Sequence, residues 1–252
     1  MVPLTDQTKD SSMNTRCLLP LWTFLPSLLA AAELKLTPDG LAVNAGPALG
    51  TLTLDYPRLT GSGGGERRAP EKVALSGNVA TLSYPGGARL ALTLSPDGAA
   101  QIHATDLGAN DKGLSLSLTI PTALAGKARW SIKDSAAKLL PAEKGADAFL
   151  WRGDATRFTL TDDAGKGLSV VIEHGYQQLQ DNRVWNTDSL QWLSFAALPR
   201  TGASEAFYTV HILDAGAPVP APKPAAVGAD RRVRPPAVTD RLTMSQIGRA
   251  SC

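Results

Sequence analysis

The chemistry-bearing side chains of this 252-residue chain crowd into one stretch, residues 173–188, which reads EHGYQQLQDNRVWNTD. Tyr176, Gln178, Asp181, Asn182, Arg183, Trp185 and Asp188 combine planar polar groups, able to bridge vicinal hydroxyls, with aromatic faces that suit the C–H surface of a pyranose ring. That is the equipment of a sugar-binding surface. The competing account is a strand-connecting loop whose aromatics fill the core and whose Asp181 and Arg183 make a surface ion pair worth under ~1 kcal/mol.

Acid–base chemistry would fall to the three histidines, His103, His174 and His211. An imidazole titrates near neutrality, and an arginine beside a substrate carboxylate lowers the barrier to removing the neighbouring proton. His174, His211 and Arg183 are therefore the catalytic candidates. His174 follows Leu168, Val170 and Ile172 in period two, which directs it to a core face, and His211 shares its phase with Phe207 and Thr209. Both positions suit a packed histidine as well as a catalytic one. His103 falls with Gln101 and Thr105 on a solvated face.

Other chemistries find less support. Asp181, Asn182 and Asp188 offer oxygen ligands for Ca2+, but their spacing matches no Asp-x-Asp-x-Asn-Gly loop, so no metal site is assigned. The glycine run at 61–65 is followed by no Gly-Lys-Ser/Thr, which argues against a phosphate cradle. A G-x-S-x-G elbow is absent, and no carboxylate pair stands out for glycoside hydrolysis.

The elements that must position these residues are short strands. Leu90, Leu92 and Leu94 share one face, and Leu114, Leu116, Leu118 and Ile120 repeat the device with Ser115, Ser117 and Thr119 on the solvent side. Phe158 and Leu160 oppose Leu168, Val170 and Ile172 across a glycine-containing turn. Thr37-Pro38-Asp39-Gly40, Gly77-Asn78, Pro85-Gly86-Gly87 and Ser95-Pro96-Asp97-Gly98 supply turn chemistry between runs. The count comes to about 13 to 15 strands, more than an immunoglobulin-like domain uses. Residues 134–143 come nearest to a helical pattern, and Pro141 breaks it. The expectation is an all-β fold, a large antiparallel β-sandwich with little or no helix.

Both ends read differently. Residues 1–32 contain Met13, the expected start, then Arg16, an apolar run from Cys17 to Leu29 interrupted by Pro20 and Pro26, and a small-residue site at Ala30–Ala32. That is the layout of a signal peptide, and the run is shorter than the ~20 residues a membrane span needs. Residues 33–216 form the expected sandwich domain. Residues 217–252 open as the linker APVPAPKP and continue without apolar period into an expected disordered, read-through tail, so a further domain is expected to have followed the linker.

The leader holds two basic and two acidic residues and the tail six and two, which puts residues 33–217 near −2 rather than the +2 of the whole chain. A nucleic-acid or anionic-membrane partner is disfavoured for the folded part. Both cysteines, Cys17 and Cys252, fall in the ends, so the domain relies on its core alone. Bacterial export, to the periplasm or the medium, fits this usage.

An apolar strand, a DG turn, a second apolar strand, a glycine-bounded link and a third apolar strand (Leu34 to Leu54) make a layout that resembles the β-supersandwich domains of galactose mutarotases and of the N-terminal part of rhamnogalacturonan lyases. The resemblance implies a sandwich that handles carbohydrate. In those lyases a Lys and His pair removes the proton beside a uronic acid; nothing around His103, His174 or His211 maps that pair. The expected function is an exported polysaccharide-binding module, a monomer or one part of a longer multidomain chain, with uronic-acid-containing glycans among the expected ligands. A lyase or mutarotase-like catalytic domain and a packing domain without ligand stay open as alternatives.

Overall fold

The computed structural model describes residues 33–61, 66–133 and 135–219; the expected leader, residues 220–252 of the expected tail and most of the glycine run at 61–65 lie outside them. Two antiparallel sheets of nine strands each make up the unit that ends at Ala217. Strands are numbered in chain order. Across the first sheet run β1 (Leu34–Thr37), β2 (Gly40–Asn44), β3 (Thr51–Asp55), β10 (Gly113–Pro121), β17 (Ser189–Ala197), β16 (Tyr176–Asp181) and β13 (Phe149–Asp154). The short β4 (Arg58–Thr60) shares an edge of β10 with β3 and carries β5 (Arg67–Arg68). Across the second sheet run β12 (Lys138–Leu139), β11 (Arg129–Ile132), β14 (Arg157–Thr161), β15 (Gly167–Ile172), β18 (Ala206–Asp214), β9 (Ala99–Thr105), β8 (Arg89–Leu94), β7 (Val79–Ser83) and β6 (Lys72–Ser76).

Period two decides which side chains meet between the sheets. Leu114, Leu116, Leu118 and Ile120 of β10 point inward and are buried, as are Leu168, Val170 and Ile172 of β15. The expected hairpins form: Phe158 opposes Val170 and Leu160 opposes Leu168. In the first hairpin Gly40 lies against β3 so closely that a Cβ there would sit 2.5 Å from the Leu54 carbonyl oxygen. The helical turns of the described residues are two short 3-10 segments, Thr122–Leu124 and Asn182–Trp185.

Three strands were not legible in the sequence. β4, β5 and β12 have three, two and two residues, too few to show alternation. One expectation of exposure is also corrected. Ser115 and Ser117 do point to the outer side of β10, yet they are only 3% and 7% exposed, because larger cross-strand neighbours shelter them: Arg58 and Phe195 beside Ser115, Leu193 beside Ser117.

The two sheets are pinned at their centre. Trp192 of β17 stacks on Phe158 of β14 with ring centroids 5.4 Å apart and planes 20° from parallel. Both are fully buried. The indole N–H donates to Gln177 Oε1 at 3.0 Å, and Gln177 Nε2 donates to the Ala155 carbonyl at 3.1 Å. A buried glutamine is tolerated there because both ends of its amide are satisfied. Further ties join the sheets at the side: the Tyr84 hydroxyl donates to the Pro57 carbonyl at 2.5 Å, and Arg68 reaches both Pro85 O and the buried Asp111 carboxylate.

Trp192→Phe retains most of the apolar contact while leaving Gln177 Oε1 without its donor. Equilibrium denaturation should register a loss of about 1–3 kcal/mol, the usual cost of a stranded buried acceptor.

Candidate functional site

The register of β16 sorts the polar cluster into two sets. Tyr176 opposes Phe195, Gln178 opposes Leu193 and Gln180 opposes Gln191 on the outer face of the first sheet, while Gln177, Leu179 and Asp181 turn inward. The same pairing rule continues outward. β13 adds Phe149, Arg152 and Asp154 opposite Gln180, Gln178 and Tyr176, and β10 adds Ser115, Ser117 and Thr119. From β3, β4 and β5 come Thr53, Asp55, Arg58 and Arg67.

This face carries amides linked to one another and to hydroxyls. Gln180 Nε2 donates to Gln178 Oε1 at 2.6 Å, and Gln191 Nε2 donates to Ser117 Oγ at 2.7 Å. Asn182 Nδ2 approaches Ser189 Oγ at 3.3 Å and Gln191 Oε1 at 3.5 Å. Aromatic groups flank the amides. Tyr176 is exposed beside Phe195, and Trp185, 52% exposed, meets the Phe149 ring edge-on at 6.0 Å. Arg152 lies over Phe149 at 5.2 Å and Arg67 over Phe195 at 5.8 Å.

Asp55 is half-buried on this face, and burial pushes its carboxyl above the ordinary carboxylate range, with the Ser117 hydroxyl and Arg58 drawing it partly back. A raised native pKa means that ionisation favours the unfolded chain. The associated stability is complete below the ordinary range near 4 and is lost as pH rises through the native value.

Asp181 belongs to the interior, and Arg183 covers it from a half-buried position. Asp181 is fully buried, and Arg183 grips it with Nε on Oδ1 and Nη2 on Oδ2, both at 2.8 Å. Two further guanidinium donors go to the carbonyls of Ala142 at 2.7 Å and Pro141 at 2.9 Å. Asp181 also accepts from the Arg183 backbone N–H at 3.2 Å, capping the Asn182–Trp185 turn. The expected surface ion pair is thus a buried clamp that fixes the 141–142 segment and the base of Trp185. Both Asp181 oxygens and most of the Arg183 donors are engaged within the protein, which sets this pair apart from the outer face. Hydrogen bonding from Arg183 holds the Asp181 carboxyl below its usual range.

The histidines do not converge. β15 ends at Ile172, and Glu173–Gly175 bend across from the second sheet to β16, so His174 leaves the expected alternation and is exposed rather than core-facing. It precedes the start of β16 while Arg183 follows its end, and the strand between them spans roughly 17 Å at ~3.4 Å per residue. His211 and His103 lie on the outer face of the second sheet, where His103 stacks on Phe207 at 4.2 Å and its Nε2 lies 3.1 Å from Glu205 Oε1. Asp188 is exposed beyond the far end of β17 and accepts from Thr122 Oγ1 at 2.7 Å. Of the sequence candidates, then, Tyr176, Gln178, Asn182 and Trp185 share one surface.

Sequence reasoning missed Phe149, Arg152, Gln191, Phe195 and Arg67 as members of this surface. Alternation against the buried Trp192 would have found Gln191 and Phe195; Arg67 lay on a strand too short to recognise. A cleft of about 510 Å³ opens elsewhere, between β1 and the β6–β7 and β8–β9 turns, and its lining, which includes Lys35, Asn78 and Ser95, has no aromatic side chain and no carboxylate.

No protein-family model matches the chain, and no curated protein does. Among solved structures it is similar to a GH31 family sulfoquinovosidase from E. rectale in complex with an aza-sugar inhibitor, with a TM-score of 0.37 and 7% sequence identity over 71% of this chain. The match spans 32% of that enzyme. The chain is an all-β sandwich with a distant carbohydrate-active structural neighbour, and a likeness of this size fixes neither family nor activity.

Arg183→Ala strands a buried carboxylate and should cost about 3–5 kcal/mol at neutral pH. Because the native pKa of Asp181 is lowered, its contribution is present above the ordinary carboxylate value and fades as pH falls through the native one; the gap between wild type and variant should close in acid denaturation series. Asp55→Asn has the opposite sign. It should melt higher than wild type at neutral pH, with the difference vanishing in acid below the ordinary carboxylate range.

Proposed function

We propose that residues 33–216 form a carbohydrate-binding module, exported to the periplasm or the medium and working within a larger polysaccharide-active protein. The observation that carries this reading is the outer face of the first sheet, where exposed Tyr176 and Trp185 flank a band of half-buried amides, Gln178, Gln180 and Gln191. Aromatic planes pack against the apolar side of a sugar ring, and amides bridge its hydroxyls. The resemblance to supersandwich domains supports the same class of ligand. The leader layout and the Pro/Ala linker support export and a multidomain context.

The catalytic reading gains less. The carboxylates on this face, Asp55 and Asp154, stand on β3 and β13, four strand spacings apart, or about 19 Å at ~4.8 Å per spacing. A glycosidase pair needs roughly 5–9.5 Å. The lyase arrangement of a histidine beside Arg183 gains no support either, with His174 and Arg183 at the two ends of β16 and His211 on the other sheet.

Titration calorimetry or affinity electrophoresis against pectins, galactans and algal glycans tests the proposal. Binding to at least one is expected, with Tyr176→Ala and Trp185→Ala each weakening it by about 0.5–1.5 kcal/mol, or ~2- to 12-fold, at unchanged melting temperature. A folded domain that binds none of these glycans would refute it.

A further inference from the structure

Resting on the carbohydrate reading, we propose that the outer face of the first sheet selects a negatively charged glycan, carboxylated or sulfated, and grips it at two positions through Arg67 and Arg152. Each guanidinium lies over an aromatic ring, Arg67 over Phe195 at 5.8 Å and Arg152 over Phe149 at 5.2 Å. A guanidinium held near a ring face keeps its N–H donors available at the surface, and a guanidinium is the group that captures a carboxylate or sulfate in bidentate fashion. Both side chains are exposed, and among the described residues neither pairs with a carboxylate.

Local charge points the same way. Residues 33–217 are near −2 as a whole, yet this stretch of sheet presents Arg58, Arg67 and Arg152 against Asp55 and Asp154. Three arginines against two carboxylates tip this face by one positive charge on a mildly acidic domain, which favours anions locally without a general preference for polyanions. Arg58 stands across Ser115 from Phe195, and so strengthens the Arg67 end.

Spacing sets the length of ligand. Phe195 opposes Tyr176 and Phe149 opposes Gln180 from the other side of β16, so the two arginine-bearing rings are offset by four residues along the strand and two strand spacings across it, roughly 17 Å in all. Gln178 lies between them, with Arg152 opposite it. One sugar ring cannot reach both ends. The ligand is an oligomer whose anionic groups are separated by intervening rings, one of them seated against Tyr176.

The test compares charged and neutral versions of the same backbone by calorimetry on the full chain. Polygalacturonate oligomers are set against their fully methyl-esterified forms, and a sulfated galactan against its desulfated form. The proposal expects at least one anionic member to bind more tightly than its neutral partner, with affinity that falls as salt rises and grows with oligomer length until both ends are spanned. Whichever pair shows the difference identifies carboxylate or sulfate as the recognised group. Arg67→Gln and Arg152→Gln should each lower that affinity about tenfold, the scale of one lost charge-assisted contact, with a smaller loss for the neutral partner and no change in melting temperature. Equal binding of charged and neutral partners, or arginine variants without effect, overturns this inference while leaving the carbohydrate reading standing. Failure of every glycan to bind overturns both.

Discussion

Trp192 and Phe158 meet where the two sheets are pinned together, and that contact decides which side chains reach water. An indole buried to completion needs a partner for its N–H, and Gln177 supplies it from the neighbouring strand. Once Gln177 is drawn inward to serve Trp192 and the Ala155 carbonyl, strand parity leaves no freedom: Tyr176, Gln178 and Gln180 must face out. A slip of one residue would bury Tyr176 and Gln178 and strand the indole, so the apolar core and the polar outer surface specify each other.

The far end of β16 is held by a second inward polar group. Arg183 engages both oxygens of Asp181 and extends the tie to the Pro141 and Ala142 carbonyls. The short Asn182–Trp185 turn is capped by the same carboxylate, which sets where the chain leaves the strand and therefore where Trp185 stands relative to Phe149. A buried pair of this kind adds little net stability, since desolvation offsets most of the attraction, but it fixes geometry. Here it fixes the edge of the candidate surface.

The sequence carried the fold well where strands were long and one-sided. β8, β10, β15 and β18 follow from leucine, valine or isoleucine at alternate positions, and the turns between them from Pro, Asn, Asp and Gly. The polar cluster resisted the same reading for a physical reason. β16 places Gln177 and Asp181 on its buried side and Gln178 and Gln180 on its outer side, so hydropathy shows no period even though the strand is regular. The partners that make those residues burial-competent, Trp192 and Arg183, are identifiable only once the strands are paired. His174 misled for the converse reason: it continues an alternation that the chain abandons two residues earlier in order to change sheets. The arginines over Phe149 and Phe195 are products of tertiary pairing and leave no sequence pattern.

The account depends on one surface, the outer face of the first sheet, being where ligand is bound. Backbone and indole NMR signals followed during titration with a bound glycan test this directly. Perturbations should concentrate at Tyr176, Gln178, Gln191, Phe195 and the Trp185 indole, leaving His103, Phe207 and His211 on the opposite sheet unchanged. Shifts confined to that opposite sheet, or to the cleft beside β1, would contradict it.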